Sequence, residues 1–151
     1  MVRNKIDRMY EAVRKINHTY EKWAADHGMT LYELQIYYEL IKEKDRTGAA
    51  MIAQKELCAR LDAPKTSISS MAKKQLATGY IETMINPNNK RENVISLTES
   101  GLEFARDLIE PLLRYEDEAA SMIDDQDMET AIDVQNRFAD IFLEKVVQKD
   151  E

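Results

Sequence analysis

A run of small hydroxyls and lysines in the middle of the chain has the side chains that contact phosphates and base edges. The run, "PKTSISSMAKKQLATG", begins at Pro64 and contains no acidic residue. Hydroxyl and ammonium groups donate hydrogen bonds to phosphate oxygens and base edges. The alternative is an ordinary solvated face, although such faces usually mix acids with lysines. The candidate nucleic-acid contacts are Lys65, Thr66, Ser67, Ser69, Ser70, Lys73 and Lys74.

An Asn-rich turn just downstream carries two adjacent cations. In "NPNNKR", Asn88, Lys90 and Arg91 follow a stretch that alternates with period two, and a return strand is predicted at 93–97. Asn and Pro favour tight reversal, so the pattern predicts a β-hairpin with a basic tip. Such a tip can reach a neighbouring groove or phosphate. The alternative is an edge charge that prevents strands from aggregating.

The hydroxyl-rich run must lie on a helix for these side chains to share a face. Ile68, Met71, Ala72 and Leu76 are spaced to form the opposite, apolar side of a helix over 64–78. A shorter helix is predicted at 53–61, and Asp62-Ala63-Pro64 forms the turn between the two. A helix-turn-helix followed by a hairpin is a winged helix, whose second helix enters the major groove.

Long helices are predicted on both sides of this core. Apolar residues recur every three or four positions from Val2 to Trp23, and a capping box at Thr30 and Glu33 opens a second helix. Two further helices follow Thr98. We therefore expect a mainly α fold with a small β-hairpin wing, in three segments: a long N-terminal helix at 1–29 that needs a partner helix from this chain or another, a winged helix-turn-helix at 30–98 and long C-terminal helices at 99–151.

Charge is distributed unevenly along the chain. The net charge is −7, yet residues 51–98 carry seven Lys and Arg against four acids, while residues 99–151 carry five against sixteen. Only the middle of the chain is therefore suited to a polyanion. Apolar stretches fall short of the roughly 20 residues that cross a membrane, and Cys58 is the only cysteine. We expect a cytoplasmic protein with no membrane partner.

Catalytic and metal-binding patterns are missing from the sequence. Asp124, Asp125 and Asp127 fall at a predicted helix start, where solvated acids suit the helix dipole. His18 and His27 are nine residues apart and cannot share one helical face closely. Cys58 lies among leucines and is expected to be an inert, buried thiol. We expect no enzyme activity, no cofactor and no metal site.

The segment "LCARLDAPKTSISSMAKKQLATGYIETMINPNNKRENVISLTESG" resembles the winged helix core of the MarR-type transcriptional regulators. Matching motifs are Gly79-Tyr80-Ile81 after the recognition helix, Arg91 in the wing, and the closing Leu97-Thr98-Glu99-Ser100-Gly101. The chain departs from the family pattern at three positions: Leu76 stands one place late, Asn89 replaces the wing Asp that braces Arg91, and Ser70 stands near an Arg of many relatives.

The resemblance implies that residues 1–29 are an N-terminal dimerisation helix and residues 99–151 are C-terminal dimerisation helices. It implies a homodimer that binds a palindrome in double-stranded DNA, with repression as the family's default. It also implies a small aromatic effector bound between the dimer helices and the DNA-binding lobes. Residues of this chain in that region are Tyr10, Tyr20, Trp23, Tyr37 and Tyr38, although aromatic residues at helical spacing are more often core. The alternative function is a winged helix that binds proteins without binding DNA.

Overall fold

The computed structural model describes residues 1–149, and positions 150–151 of the predicted C-terminal segment lie outside the described residues. The chain divides into two compact units, Met1–Ile109 and Glu110–Glu151. The expected mainly α fold with a small β-hairpin wing is confirmed. Its elements are α1 (Val2–Asp26), α2 (Leu31–Thr47), β1 (Met51–Ala53), α3 (Gln54–Leu61), α4 (Lys65–Leu76), β2 (Ile81–Asn86), β3 (Asn89–Leu97), α5 (Glu99–Ser121) and α6 (Asp125–Gln148).

Helix α2 begins with the predicted capping box. The backbone N–H of Glu33 donates to the Thr30 hydroxyl at 3.3 Å, and the Thr30 N–H donates back to the Glu33 carboxylate at 3.4 Å. The helix ends at Gly48, whose φ of 88° places it in the left-handed region that glycine adopts without strain. Because most of its inward side chains are fully buried, α2 is the centre of the first unit's core.

The sheet has three strands in the order β1-β3-β2, all antiparallel. The predicted hairpin is present, but the return strand β3 begins at Asn89, four residues before the predicted 93, and the turn itself is only Pro87-Asn88. Strand β1 was not predicted from the sequence. It pairs Ile52 with Ile95, a partner far along the chain. A three-residue strand is too short to show an alternating pattern, so only this pairing reveals it.

Aromatic side chains join α2, α5 and the start of the wing. Tyr37 of α2 is fully buried, and its ring meets that of Phe104 in α5 edge to face, with 5.2 Å between ring centroids. Phe104 in turn stacks on Tyr80 at 4.2 Å. The Tyr37 hydroxyl donates to the Gln75 side-chain oxygen at the end of α4. Tyr37 therefore links α2 to the end of α4 directly, and to the start of the wing through Phe104.

The buried Tyr37 hydroxyl makes stability depend on pH in alkali. Burial raises the pKa of Tyr37 to about 12 from 10.0. Stability from this group is therefore complete below pH 10 and is lost as pH rises through the folded pKa. We expect up to about 3 kcal/mol of unfolding free energy to disappear across this range. Urea denaturation of wild type and Tyr37→Phe across the range checks this, since parallel pH profiles would contradict it.

Ion pairs fasten α3 to α2. The Arg60 guanidinium lies 2.9 Å from Glu43 and 3.5 Å from Glu39, both on α2, and 3.1 Å from Glu56 on its own helix. Hydrogen bonds from Arg46 and then Arg60 lower the pKa of the Glu43 carboxyl. Because the Glu43 and Arg60 side chains are only 10% and 26% exposed, this cluster holds the first helix of the helix-turn-helix in place.

Apolar side chains remain exposed along the outer helices. No residue of α6 is buried. Its apolar residues Ile141, Phe142 and Leu143 are each more than half exposed. On α1, Val2 and Ile16 are likewise more than half exposed. Single exposed apolar residues need no explanation, but repeated ones along a helix indicate a surface that pairs with another helix. Among the described helices, none is long and apolar enough to cross a membrane.

Candidate nucleic-acid interface

The outward face of α4 is formed by residues at helical spacing. Thr66, Ser70 and Lys73 of α4 follow one another at intervals of four and three, Ala77 at the C-cap continues the row four residues later, and all are exposed. Ile68, Ala72 and Gln75 are buried on the opposite side. The outward stripe thus presents two hydroxyls and an ammonium, with no acid between them. This is the arrangement that a helix needs to approach the major groove.

Two of the predicted serines flank this stripe instead of lying on it. Ser67 and Ser69 are half-buried. The Ser69 hydroxyl accepts a hydrogen bond from the Gln54 side-chain amide at 2.6 Å, which ties α4 to the start of α3. Lys65 is the first residue of α4 and is exposed. Within residues 1–149, no side chain hydrogen-bonds at the N-cap of α3 or α4, so backbone N–H groups at both helix starts lack this partner.

Lys74 differs from its neighbour Lys73. Its ammonium lies 2.6 Å from the Glu33 carboxylate, and the Glu33 side chain is only 5% exposed. Glu33 also closes the capping box of α2. The structure therefore gives Lys74 a partner inside the protein, 41 residues away in sequence, which sequence spacing could not reveal. Its contact fixes the end of α4 against the start of α2.

The two lysines are expected to respond oppositely to replacement. Lys74→Ala leaves the Glu33 carboxylate buried without its cation, so the free energy of unfolding falls by about 1 kcal/mol. Lys73→Ala changes stability by less than about 0.5 kcal/mol. For binding to duplex DNA, Lys73→Ala reduces the magnitude of the slope of log affinity against log salt by about 0.9 per protomer. Lys74→Ala reduces this slope by less. Equal slopes with equal stabilities would contradict this assignment. Urea denaturation and salt titration of both variants measure it.

The wing carries its cations on a bulge. In the hairpin, Ile85 pairs with Asn93 and the next residue, Asn86, pairs with Asn89, so residues 90–92 lie outside the regular register. Lys90 and Arg91 are both exposed there. Because a bulge increases local twist and redirects side chains, it projects the two cations from the ladder. The irregularity follows from the register and was not predicted from the sequence.

Asparagine side chains hold the bulge in shape. The Asn88 N–H donates to the Asn86 side-chain oxygen at 2.9 Å, and the Arg91 N–H donates to that of Asn89 at 3.2 Å. The Asn86 amide also donates to Glu92 at 2.9 Å. Asn89 stands where the family has an Asp, and its hydrogen bond to Arg91 is neutral. The bond is made to the backbone N–H of Arg91 and not to its guanidinium.

A cavity of about 400 Å³ lies between α3, the start of α4 and strand β3, and is here called the wing cavity. Lys65 and Arg91, two of the predicted nucleic-acid contacts, both line it. Lys55 joins them, so a third cation belongs to this surface. Lys55 was not predicted as a contact from the sequence, where its position one residue into the start of α3 was the only signal. The remaining lining residues are Gln54, Cys58, Asn89, Glu92 and Asn93.

Two of the five predicted effector residues line a second cavity, here called the interhelical cavity. Tyr20 of α1 and Tyr38 of α2 meet edge to face, with ring centroids 6.2 Å apart, beside a space of about 210 Å³. Gln35 also lines it, and its side-chain oxygen is buried with no hydrogen-bond partner among the described residues. A buried acceptor without a partner is costly unless a ligand or water satisfies it.

The other three predicted effector residues lie elsewhere. Tyr37 is in the core, as described above. The Trp23 indole N–H donates to the Leu108 carbonyl at 3.1 Å, and its ring lies 4.6 Å from that of His27. Tyr10 is 40% exposed on α1. None of these three lines either cavity.

Residues 1–149 contain no group of three or more His, Cys, Asp or Glu placed to hold a metal ion. His18 is exposed and lies 3.6 Å from Glu21. The His27 ring contacts the Trp23 carbonyl at 2.7 Å. Cys58 is half-buried and is a free thiol. It was expected to be buried, but it faces the wing cavity on one side of α3.

Comparison with known proteins agrees with this geometry. A family model described as a winged helix DNA-binding domain matches residues 39–101. None of the curated proteins is significantly similar in sequence. Among solved structures, NMB1585, a MarR family regulator from Neisseria meningitidis, is similar with a TM-score of 0.78 and 20% identity, covering 97% of this chain and 99% of that one.

Two further structures share the fold. AbsC, a MarR family transcriptional regulator from Streptomyces coelicolor, has a TM-score of 0.75 and 16% identity over 93% of both chains. MepR of S. aureus, solved as a DNA complex, has a TM-score of 0.69 and 12% identity, covering 94% of this chain and 99% of that one. Residues 39–101 thus match a model of winged helix DNA-binding domains, and the chain has the fold of the MarR-family regulators.

Proposed function

We propose that this protein is a MarR-type transcriptional regulator that acts in the cytoplasm as a homodimer and represses transcription by binding a palindromic operator in double-stranded DNA. One observation carries the proposal. The acid-free outward stripe of α4 and the bulged, cationic wing both lie within residues 51–98, where the excess of cations over acids is largest. Similar structures solved with DNA support the same conclusion.

Each part of this surface has a role that its chemistry suits. Thr66, Ser70 and Lys73 face the major groove from α4. Lys65 and the uncapped start of α4 meet a phosphate, since the N-terminus of a helix favours anions. Lys90 and Arg91 extend from the wing to the adjacent minor groove or its phosphates. Ser67, Ser69 and Asn88 flank these contacts and shape the approach.

Dimerisation supplies the affinity that a single domain lacks. A few phosphate contacts per protomer give weak and unspecific binding, whereas two domains spaced by roughly 34 Å read two half-sites. The exposed apolar residues of α1 and α6 are suited to pair with those of a second copy. The acidic C-terminal part of the chain disfavours any pose that brings it to DNA.

A small aromatic effector at the interhelical cavity is the proposed signal. Tyr20 and Tyr38 offer ring faces, and the Gln35 side-chain oxygen offers an acceptor without a partner. The cavity is lined from α2 by Leu34, Gln35 and Tyr38. Their neighbours on the same helix, Glu33 and Tyr37, contact Lys74 and Gln75 at the end of α4. A ligand that shifts α2 therefore shifts the recognition helix.

Selection of genomic fragments by the purified protein, followed by fluorescence anisotropy across a salt series, tests the proposal. A DNA-binding dimer is expected to enrich palindromic fragments and to lose affinity linearly on a log–log plot against salt. Sedimentation gives the oligomeric state with and without DNA. Absence of salt-dependent duplex binding would leave the alternative, a winged helix that binds only proteins.

A further inference from the structure

We propose that Glu33, Tyr37 and Gln54 are positioning residues that fix the rotation of α4 about its own axis and thereby determine how well the protein distinguishes one DNA sequence from another. The inference rests on the proposed function, because it deepens the role of α4 as the recognition helix. None of the three residues belongs to α4, and each reaches it from a neighbouring helix. They hold α4, and α4 itself makes the contacts with DNA.

Buried polar side chains are concentrated around α4. Among the described residues, five polar or charged residues are buried: Glu33, Glu43, Gln54, Gln75 and Ser96. Three of the five, namely Glu33, Gln54 and Gln75, take part in a side-chain contact between α4 and another helix. Apolar residues could hold α4 in place without the cost of burying polar groups. Hydrogen bonds depend on direction as apolar contacts do not, so this concentration indicates that the orientation of α4 matters.

Two of these contacts come from one face of α2. Glu33 and Tyr37 are four residues apart, so their side chains lie one turn apart on the same side of that helix. The Lys74 ammonium donates to the Glu33 carboxylate at 2.6 Å, and the Tyr37 hydroxyl donates to the Gln75 side-chain oxygen. Helix α2 therefore holds two consecutive residues at the end of α4.

The third contact comes from α3 and lies near the middle of α4. The Gln54 amide donates to the Ser69 hydroxyl at 2.6 Å. Successive residues of an α-helix are turned by about 100° about its axis, so Ser69 lies about 70° to one side of the centre of the outward stripe and Lys74 about 70° to the other. Gln75 lies on the opposite side of the helix. Rotation of α4 in either direction must therefore lengthen one of these contacts.

Rotation of α4 affects contacts with bases more than contacts with phosphates. Polar atoms of the outward stripe lie about 6 Å from the helix axis, so a rotation of about 20° moves them by about 2 Å. Hydrogen bonds to base edges tolerate only a few tenths of an ångström, whereas the attraction between cations and the phosphate backbone decreases slowly with distance. A loosened α4 therefore keeps its affinity for DNA in general and loses its preference for the operator.

Variants of the neighbouring helices test this without changing any residue of α4. Glu33→Gln removes the charge that Lys74 contacts and keeps the capping box, which accepts Gln as well as Glu. Gln54→Met removes the donor to Ser69 at similar volume. We expect each variant to lower the specificity ratio, defined as operator affinity divided by scrambled-duplex affinity, about threefold, and the two together to lower it about tenfold.

Fluorescence anisotropy with the operator selected by wild type and a scrambled duplex of equal length measures this ratio. Affinity for the scrambled duplex is not expected to fall by more than about twofold, and the salt slope is not expected to decrease, because every cation remains in place. If the salt slope decreased with the specificity ratio, the variants would have lost phosphate contacts, and the inference would be wrong.

Glu43→Gln is the matched control. Glu43 is also a buried carboxylate of α2, but its cationic partners Arg46 and Arg60 lie on α2 and α3. We expect this variant to lose stability in urea denaturation and to keep the specificity ratio of wild type within about twofold. An equal fall of the ratio in Glu43→Gln and Glu33→Gln would assign the effect to general destabilisation and overturn the inference.

A double-mutant cycle with Ser70 of the outward stripe gives a second readout. We expect Ser70→Ala to lower operator affinity about fivefold in wild type and less than about twofold in the variant that combines Glu33→Gln with Gln54→Met. Equal costs in both backgrounds would contradict the inference. If circular dichroism shows the combined variant to be unfolded, Tyr37→Phe replaces it, since it removes one hydroxyl and its contact with Gln75.

The same measurements separate this inference from the proposed function. A wild type that binds no duplex would refute both. A wild type that binds duplex DNA in a salt-dependent manner, with specificity ratios unchanged in every variant, would refute the positioning role alone and leave the proposed function in place.

Discussion

Replacing Lys73 and Arg91 together by alanine is expected to lower the affinity for operator DNA about a thousandfold at 0.15 M salt. Lys73 lies at the centre of the outward stripe of α4, and Arg91 lies on the wing bulge. In the proposed homodimer, the change removes four cations. At about 0.9 counterion per phosphate contact, the slope of log affinity against log salt decreases in magnitude by between about 3 and 4.

Anisotropy titrations of labelled duplex across a salt series measure both quantities. The matched control is Lys22→Ala with Lys149→Ala, which removes the same charge from exposed positions outside residues 51–98. That control is expected to change the affinity by less than about threefold, because it leaves the cations of α4 and the wing in place. An equal effect of the two double variants would show that overall charge, and not this surface, binds DNA.

Much of this surface could be predicted from the sequence because its determinants are local. An acid-free helical face depends on spacing along α4 alone, and an Asn-rich turn between two apolar stretches specifies a hairpin without reference to the rest of the chain. The exposed stripe of Thr66, Ser70 and Lys73 follows from that spacing.

What could not be predicted depends on contacts distant in sequence. Lys74 resembles Lys73 in every local respect, and only the fold brings Glu33 to it. Strand β1 exists because Ile52 meets Ile95. The bulge at residues 90–92 depends on how a two-residue turn fixes the hairpin register. Lys55 joins the cationic surface only because α3 begins beside β3.

The motifs on either side of the wing, Gly79-Tyr80-Ile81 and Leu97-Thr98-Glu99-Ser100-Gly101, contact each other in the structure. The Thr98 N–H donates to the Tyr80 carbonyl at 3.0 Å, and the Thr98 hydroxyl donates to that of Gly79 at 2.7 Å. The Gly101 N–H donates back to the Thr98 hydroxyl at 3.0 Å. The beginning of α5 is thereby bonded to the residues that begin the wing, so the geometry of the wing depends on this contact.

Gly101→Ala is therefore expected to lower the free energy of unfolding by about 3 kcal/mol or more. A Cβ at this position would overlap the Tyr80 carbonyl oxygen and lie 2.6 Å from the Tyr80 carbonyl carbon. Backbone cannot move aside as a flexible side chain can, so either α5 or the wing must shift. Helix propensity acts in the opposite direction, because Ala stabilises a helix interior by about 1 kcal/mol relative to Gly. The steric term is the larger.

Urea denaturation of Gly101→Ala beside two controls separates these effects. Ser100→Ala makes a neighbouring change at an exposed position and is expected to stay within about 0.5 kcal/mol of wild type. Gly28→Ala tests backbone strain alone, since Gly28 has φ +71° and no atom within 4 Å of its added Cβ, and should cost between about 1 and 2 kcal/mol. If Gly101→Ala were as stable as Ser100→Ala, α5 could not be packed on the wing backbone as described. DNA affinity should fall with Gly101→Ala even where the variant remains folded, because the displaced wing carries Lys90 and Arg91.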